Sequence, residues 1–275
     1  MNAAALTKSA AQATEHEAAP KAGPRGGAIQ RAAHTVSAIV NPDTPIIITI
    51  DGPAGTGKST VARMLAAKVG LDFLDTGAMY RAATAIVIDH GLVDDLTSNT
   101  YGRILEKVID ADLHFDWQTD PPAILAWLEP LNARIREPDV TRLVSKIATI
   151  GTLRKHMVQK QRIIGHQHPR LVTEGRDQGS VAFPDAAVKF YLDADPAVRA
   201  ARRAEQLREA GHTVDEAELL QSIIDRDNSD STRADGPLIC PDDAIRVDTS
   251  ELDIDGVVET LAAHTADILG ALDEN

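Results

Sequence analysis

The 275-residue chain contains a single cysteine, Cys240. An intrachain disulfide is therefore impossible, and a reducing compartment, the cytoplasm, is the expected location. No run of 18 apolar residues occurs, so no transmembrane helix and no membrane partner are expected. The first residues lack the apolar core of a secretory signal. Basic charge is scarce as well: 28 Lys and Arg stand against 41 Asp and Glu, a net charge of −13. A duplex-binding protein has the opposite balance, so nucleic acid is not an expected partner. Any anionic substrate must be met by a local cluster of positive charge. With 43% apolar and 25% charged residues, the chain has the composition of a globular protein.

The most informative stretch is Ile46 to Leu65. Five β-branched residues, Ile46 to Ile50, read as a buried strand. They run into Gly52-Pro53-Ala54-Gly55-Thr56-Gly57-Lys58-Ser59, which has the spacing of a P-loop. Thr60 to Val69 follows with apolar Val61, Leu65 and Val69 at helical spacing, ended by Gly70. Glycines let successive N–H groups turn inward toward a polyphosphate, and a helix N-terminus adds the positive end of its dipole. Lys58 can reach the outer phosphates, and the Ser59 hydroxyl can hold Mg²⁺. Average residue usage produces the bare spacing in about one chain of this length in a hundred, so the strand before it and the helix after it carry the assignment.

Strand-like and helix-like segments then alternate. Expected strands are Leu71–Asp75, Leu171–Glu174, Val188–Leu192 and Ile245–Val247. Expected helices run from Thr76 through about His90, over Tyr101–Ile109, Val140–Arg162, Val198–Ala210, Glu216–Asp225 and Leu252–Leu272. Asp195-Pro196 has the form of an N-cap followed by Pro at the first helical position. Such alternation predicts an α/β fold with a five-stranded parallel sheet flanked by helices. Leu113 to Gln118 alternates like a strand with one exposed face, and residues 101–165 read as an insert that caps the substrate. Residues 1–43 are Ala-rich without periodic large apolar residues and read as a disordered extension. Their Arg and Ala content also suits a transit peptide, against which Glu15 and Glu17 stand.

The segment from Asp195 to Arg233 holds six arginines and no lysine. Arg199, Arg202 and Arg203 share one helix face. Nine acids in the same segment would balance a solvated face. The exclusive use of arginine, whose planar fork fits phosphate oxygens, instead suggests a helical lid that closes over a phosphoryl-transfer site. Arg176-Asp177 directly follows a strand, at the sheet edge where α/β folds bind ligands. Glu174, at that strand's end, is placed to orient metal-bound water.

Taken together, IDGPAGTGKST (50–60), LDTGAMYR (74–81), IREPDVTRLVSKIA (135–148), EGRDQGSVAFPDAAVKFYLDA (174–194) and the stretch from Arg226 to Arg233 resemble the bacterial cytidylate kinases. The resemblance spans about residues 46–270. It implies a P-loop core (44–100 and 166–275), an NMP-binding insert (about 101–165) and a mobile lid (about 195–233). It further implies γ-phosphoryl transfer from ATP to CMP or dCMP, with Mg²⁺, by a monomer in pyrimidine nucleotide metabolism. By motif, Gly52 to Thr60 with Arg202 and Arg203 would bind ATP. Thr76, Ser145, Arg154 and Asp177 would surround the cytosine, Tyr80 would also bind CMP, and Arg81 and Arg176 would hold the acceptor phosphate. Arg226 and Asp230 would meet the ribose, and Arg233 would span nucleoside and phosphate. Lys58, Arg176 and Arg233 would be catalytic. Thr76 stands where relatives commonly carry serine, and Ser229 where they often carry a base.

Rival readings are a P-loop kinase for UMP, AMP or a polyol, a regulatory GTPase, and a catalytically dead binding module. Against the GTPase, no Asn-Lys-x-Asp motif occurs; against the dead module, Lys58, Ser59 and Arg233 are intact.

Overall fold

A computed structural model describes residues 44–94 and 96–273; the expectation for residues 1–43 lies outside them. Ile46–Asp51 forms β1, the middle strand of a five-stranded sheet. Strand periodicity sends Ile46, Ile48 and Ile50 to one face, where they join one apolar core. The other strands are β2 (Asp72–Asp75), β6 (Arg170–Gly175), β7 (Val188–Asp193) and β8 (Ile245–Asp248). Their order is β2-β6-β1-β7-β8, and every pairing is parallel. Parallel strands need crossover helices, so both faces are covered. On one face α1 (Lys58–Val69) packs with α8 (Ile254–Asp273). On the other, α2 (Thr76–Asp89) and residues 98–167 build a second core.

Those residues comprise α3 (Ser98–Asp110), a small antiparallel sheet of β3 (His114–Asp116), β4 (Ala123–Ala126) and β5 (Glu129–Pro130), then α4 (Pro138–Ile147) and α5 (Gly151–Gln167). Each of the chain's two tryptophans meets a histidine on a helix end: Trp117 stacks on His168 at 3.7 Å, and Trp127 lies 5.4 Å from His90. After β7 come two antiparallel helices, α6 (Pro196–Glu209) and α7 (Glu216–Thr232). Asp195 caps α6 by accepting from Ala197 N at 2.7 Å, as its sequence position suggests.

Two expectations need correction. The single helix expected over Val140–Arg162 is two, α4 and α5, broken at Ala148–Ile150. Thr149 turns its hydroxyl back onto Lys146 O and Ile150 bonds Ile147 O, closing α4 before Gly151 opens α5. The apolar stripe of Val144, Ile147, Ile150 and Leu153 runs through the break, which periodicity therefore hides. Helix α7 also continues seven residues past the expected end at Asp225, to Thr232. Ser231 and Thr232 donate to the carbonyls of Asp227 and Asn228 instead of ending the helix. No helix among the described residues is long and apolar enough to cross a membrane.

Candidate active site

The carboxyl ends of β1 and β6 open into a cavity of about 1000 Å³. Gly52 leaves β1 with φ +148°, and a Cβ there would run into the Leu192 carbonyl of the neighbouring strand. Gly57, at φ 84°, is the N-cap of α1 and supplies no side-chain cap; the first turn holds no acid. The first amides of α1 are thus left to a ligand, with the positive end of the helix dipole behind them. Lys58 is 5% exposed, its ammonium folded onto Pro53 O at 2.6 Å and Thr56 Oγ1 at 3.4 Å. Burial, with the charge of Arg176 next, pushes its pKa down to about 7.

Ser59 donates to Glu174 Oε1 at 2.7 Å. Asp75 caps α2 through Ala78 N and is pushed up to about 7 by burial and by the Glu174 carboxylate beside it. Thr76 donates to Glu174 O at 2.7 Å, and the absent side chain of Gly175 allows that approach. Donor loop and carboxylates therefore share one wall.

The opposite wall is built of arginines matched to acids. Arg154, from α5, bonds Asp177, and both are 3% exposed. Asp177 also has Arg233 at 4.0 Å, and a Cβ on Gly236 would run into its carboxylate. Arg176 donates to Asp230 Oδ2 at 2.9 Å. Burial disfavours its charge, but Asp230 and Glu174 more than offset this and hold its pKa above the ordinary value. Burial and Arg176 push Arg226 down to about 10, and burial with Arg154 lowers Arg233. Arg81 donates to Ile135 O and Thr141 Oγ1, and its guanidinium lies half-buried in electrostatic reach of Arg176. Tyr80 Oη, Arg226 Nε and Arg233 Nη2 are buried without a hydrogen-bond partner among the described residues. Buried polar atoms of this kind call for a ligand.

Of the residues singled out from the sequence, all except Gly52 and Pro53 line this cavity. Gly52 and Pro53 lie behind it and shape the loop. Arg202 and Arg203 line the cavity from α6; Arg202 Nη2 also bonds Thr249 O at 2.6 Å, tying α6 to the loop before α8. Arg199, read with them as one inward face, also borders the cavity, but it is 2% exposed and its guanidinium is taken up by Ala194 O, Ala54 O and Asp227. Sequence reasoning missed Asp51. Buried at the end of β1, it accepts from Gln178 N (2.9 Å) and Gly179 N (2.7 Å), so it joins the P-loop to the turn that carries Arg176 and Asp177. An acid closing an otherwise apolar strand is the one signal that pointed to it.

Known proteins resemble the chain over most of its length. The family model described as cytidylate kinase matches residues 48–267. A cytidylate kinase of Rhodococcus opacus is 42% identical over 220 residues, covering 78% of this chain and 93% of that protein. One from Corynebacterium efficiens is 41% identical over 226 residues, covering 82% and 96%. One from Azotobacter vinelandii is 38% identical over 222 residues, covering 81% and 96%.

Proposed function

Because the chain belongs to the cytidylate kinase family, whose members phosphorylate CMP and dCMP with ATP, we propose that its cavity holds the two nucleotides on facing walls. The observation that carries this assignment of roles is the pairing, across one cavity, of an uncapped helix N-terminus bearing Lys58 with the Arg154–Asp177 and Arg176–Asp230 pairs. The first wall takes the triphosphate of ATP on Gly52 to Thr60, with Arg202 and Arg203 approaching from α6. The second takes CMP: Thr76, Tyr80, Ser145, Arg154 and Asp177 around the base, Arg81 and Arg176 on the phosphate, Arg226, Asp230 and Arg233 along the ribose. Residues 44–100 and 166–275 act as the core, 101–165 as the acceptor insert and 195–233 as the lid. The enzyme works as a cytoplasmic monomer, and neither nucleic acid nor membrane is a partner.

The residues at the cavity floor fit a Mg²⁺ ion. A hydroxyl, Ser59, faces the Glu174 carboxylate, and Asp75 stands beside it with its pKa raised by burial and by that neighbour. Two acids held so close favour a divalent cation near them. Ser59 would ligate it, with Glu174 and Asp75 behind. When bound, Mg²⁺ neutralises charge on the outer phosphates.

The acceptor phosphate is largely ionised near neutral pH, so its oxygen attacks the γ-phosphorus in line without a strong base. Lys58, Arg176 and Arg233 then stabilise the charge spread over the transferring group. For the base, a carboxylate at Asp177 accepts from the exocyclic amino group of cytosine but repels the carbonyl of uracil, a pairing worth about 1–3 kcal/mol. A coupled assay with CMP, dCMP, UMP and AMP tests the assignment. CMP and dCMP should dominate, and conservative Asp177→Asn should narrow the CMP:UMP preference by about tenfold. Equal losses for CMP and UMP would leave Asp177 as a partner of Arg154 only.

A further inference from the structure

Arg199 spends its whole guanidinium on three separate elements. Nε donates to Ala194 O at 2.9 Å, in the turn after β7. Nη1 donates to Ala54 O at 3.0 Å, inside the P-loop. Nη2 donates to Asp227 Oδ2 at 2.6 Å, on α7. Its stem packs where Gly55 has no side chain, since a Cβ there would stand 3.4 Å from Arg199 Cβ. The residue is 2% exposed, so these bonds are made away from water and their geometry is tightly set.

The contact with Ala54 has a directional consequence. In a trans peptide the C=O and the next N–H point opposite ways. A cation fastened to Ala54 O therefore turns Gly55 N–H away from itself. Gly55 has φ +83°, and both it and Ala54 line the cavity. A glycine peptide unit is free to flip unless something holds it, and Arg199 is what holds it here. Asp227 in turn fixes Arg199. It stands one residue after Arg226 and one helical turn before Asp230, both of which line the same cavity.

We propose that Arg199 and Asp227 are a pair of positioning residues that set the Ala54–Gly55 peptide plane for the donor phosphates and tie that loop to α7. Neither residue needs to touch a nucleotide. The proposal rests on the kinase reading above. It predicts that loosening the pair weakens the donor side selectively, because Ala54 belongs to the donor loop and the acceptor acids keep their own arginines.

The test is steady-state kinetics of Asp227→Asn, Arg199→Lys and the double variant, with ATP and CMP varied separately. Each single variant should raise KM for ATP by about tenfold, the scale on which misaligned positioning groups act, and leave KM for CMP within about twofold. The double variant should be no worse than either single one, because the two residues act as a unit. Asp227→Glu should restore part of the ATP affinity, and calorimetric titration of ATP alone should reproduce the order. A fall in melting temperature with KM for ATP unchanged would reduce the pair to a structural tie and overturn the proposal. An equal rise in KM for CMP would overturn it too. If one single variant does not fold, ATP titration of the other decides: wild-type affinity for ATP in a well-folded Arg199→Lys or Asp227→Asn protein refutes the proposal. Failure of the wild-type enzyme to phosphorylate CMP would count against the kinase reading, not against the pair.

Discussion

Asp75 and Lys58 are both held against their own charge, with opposite consequences for pH. Asp75 has a folded pKa of about 7 against an ordinary 3.8. Between those values the native state binds the extra proton, so its stabilising contribution is present at low pH and lost as pH rises through 7. Asparagine keeps the cap on Ala78 N and removes the like charge beside Glu174. Asp75→Asn should therefore melt a few degrees above wild type at pH 8, with the gap narrowing as pH falls below 7 and closing only near pH 4, while turnover falls as the cation site weakens; parallel thermal melts at pH 4, 6 and 8 check this. Lys58 has a folded pKa of about 7 against 10.5. Its cost is full below pH 7 and relieved as pH rises toward 10.5. Lys58→Met should lose roughly 10²–10³-fold in turnover yet not melt lower than wild type at pH 6, measured by coupled assay and circular dichroism. These residues were legible in the sequence because P-loop chemistry is local: strand, loop and helix follow one another within 24 residues. Asp51 was not, because its two donors lie 127 and 128 positions away.

At the scale of elements, α5 is joined to the exit of β6 by one buried ion pair, Arg154–Asp177. Removing one partner strands a buried charge, at a cost of about 3–5 kcal/mol, whereas replacing both with apolar groups is close to neutral. Asp177→Ala should lower the melting temperature by roughly 10 °C, and Arg154→Leu with Asp177→Leu should recover most of that loss, read by calorimetry. Recovery of stability without activity would separate the pair's structural share from its role in the site. The helix that carries Arg154 was visible as part of a periodic stripe, but its joint with the preceding helix was not. The break between α4 and α5 leaves the stripe intact. Strands β4 and β5 are too short for a pattern, and the turn between them uses Trp127 and Leu128 at φ 49° and 70°, where Asn-Gly would have announced it. Nor could spacing show that Arg199, of three arginines bordering the cavity on one face, is the one whose guanidinium is held wholly by protein partners.

Over the whole molecule, the five-stranded parallel sheet was legible from alternation alone, because buried strands are short apolar runs and crossover helices must separate them. The order of the strands was not legible, since it depends on which edges meet in space. Phe190, 1% exposed in β7, sits in the core under α1 and α8. Phe190→Ala should cost about 3–5 kcal/mol, seen as a shifted denaturation midpoint with an unchanged slope. A chain begun at residue 44 should keep the activity and melting temperature of the full one, because the family match starts at residue 48; a drop of several degrees would show that the preceding segment packs on the core. The two tryptophans have an optical consequence. Both lie beside the small antiparallel sheet, each against a histidine ring, and α6 and α7 contain none. Intrinsic emission at tryptophan wavelengths is thus a reporter of how that sheet sits on α2 and α5, and it is dark to the arginine-bearing hairpin. Following the hairpin by fluorescence requires a dye, and Cys240, exposed and the chain's one thiol, offers a single point of attachment for it.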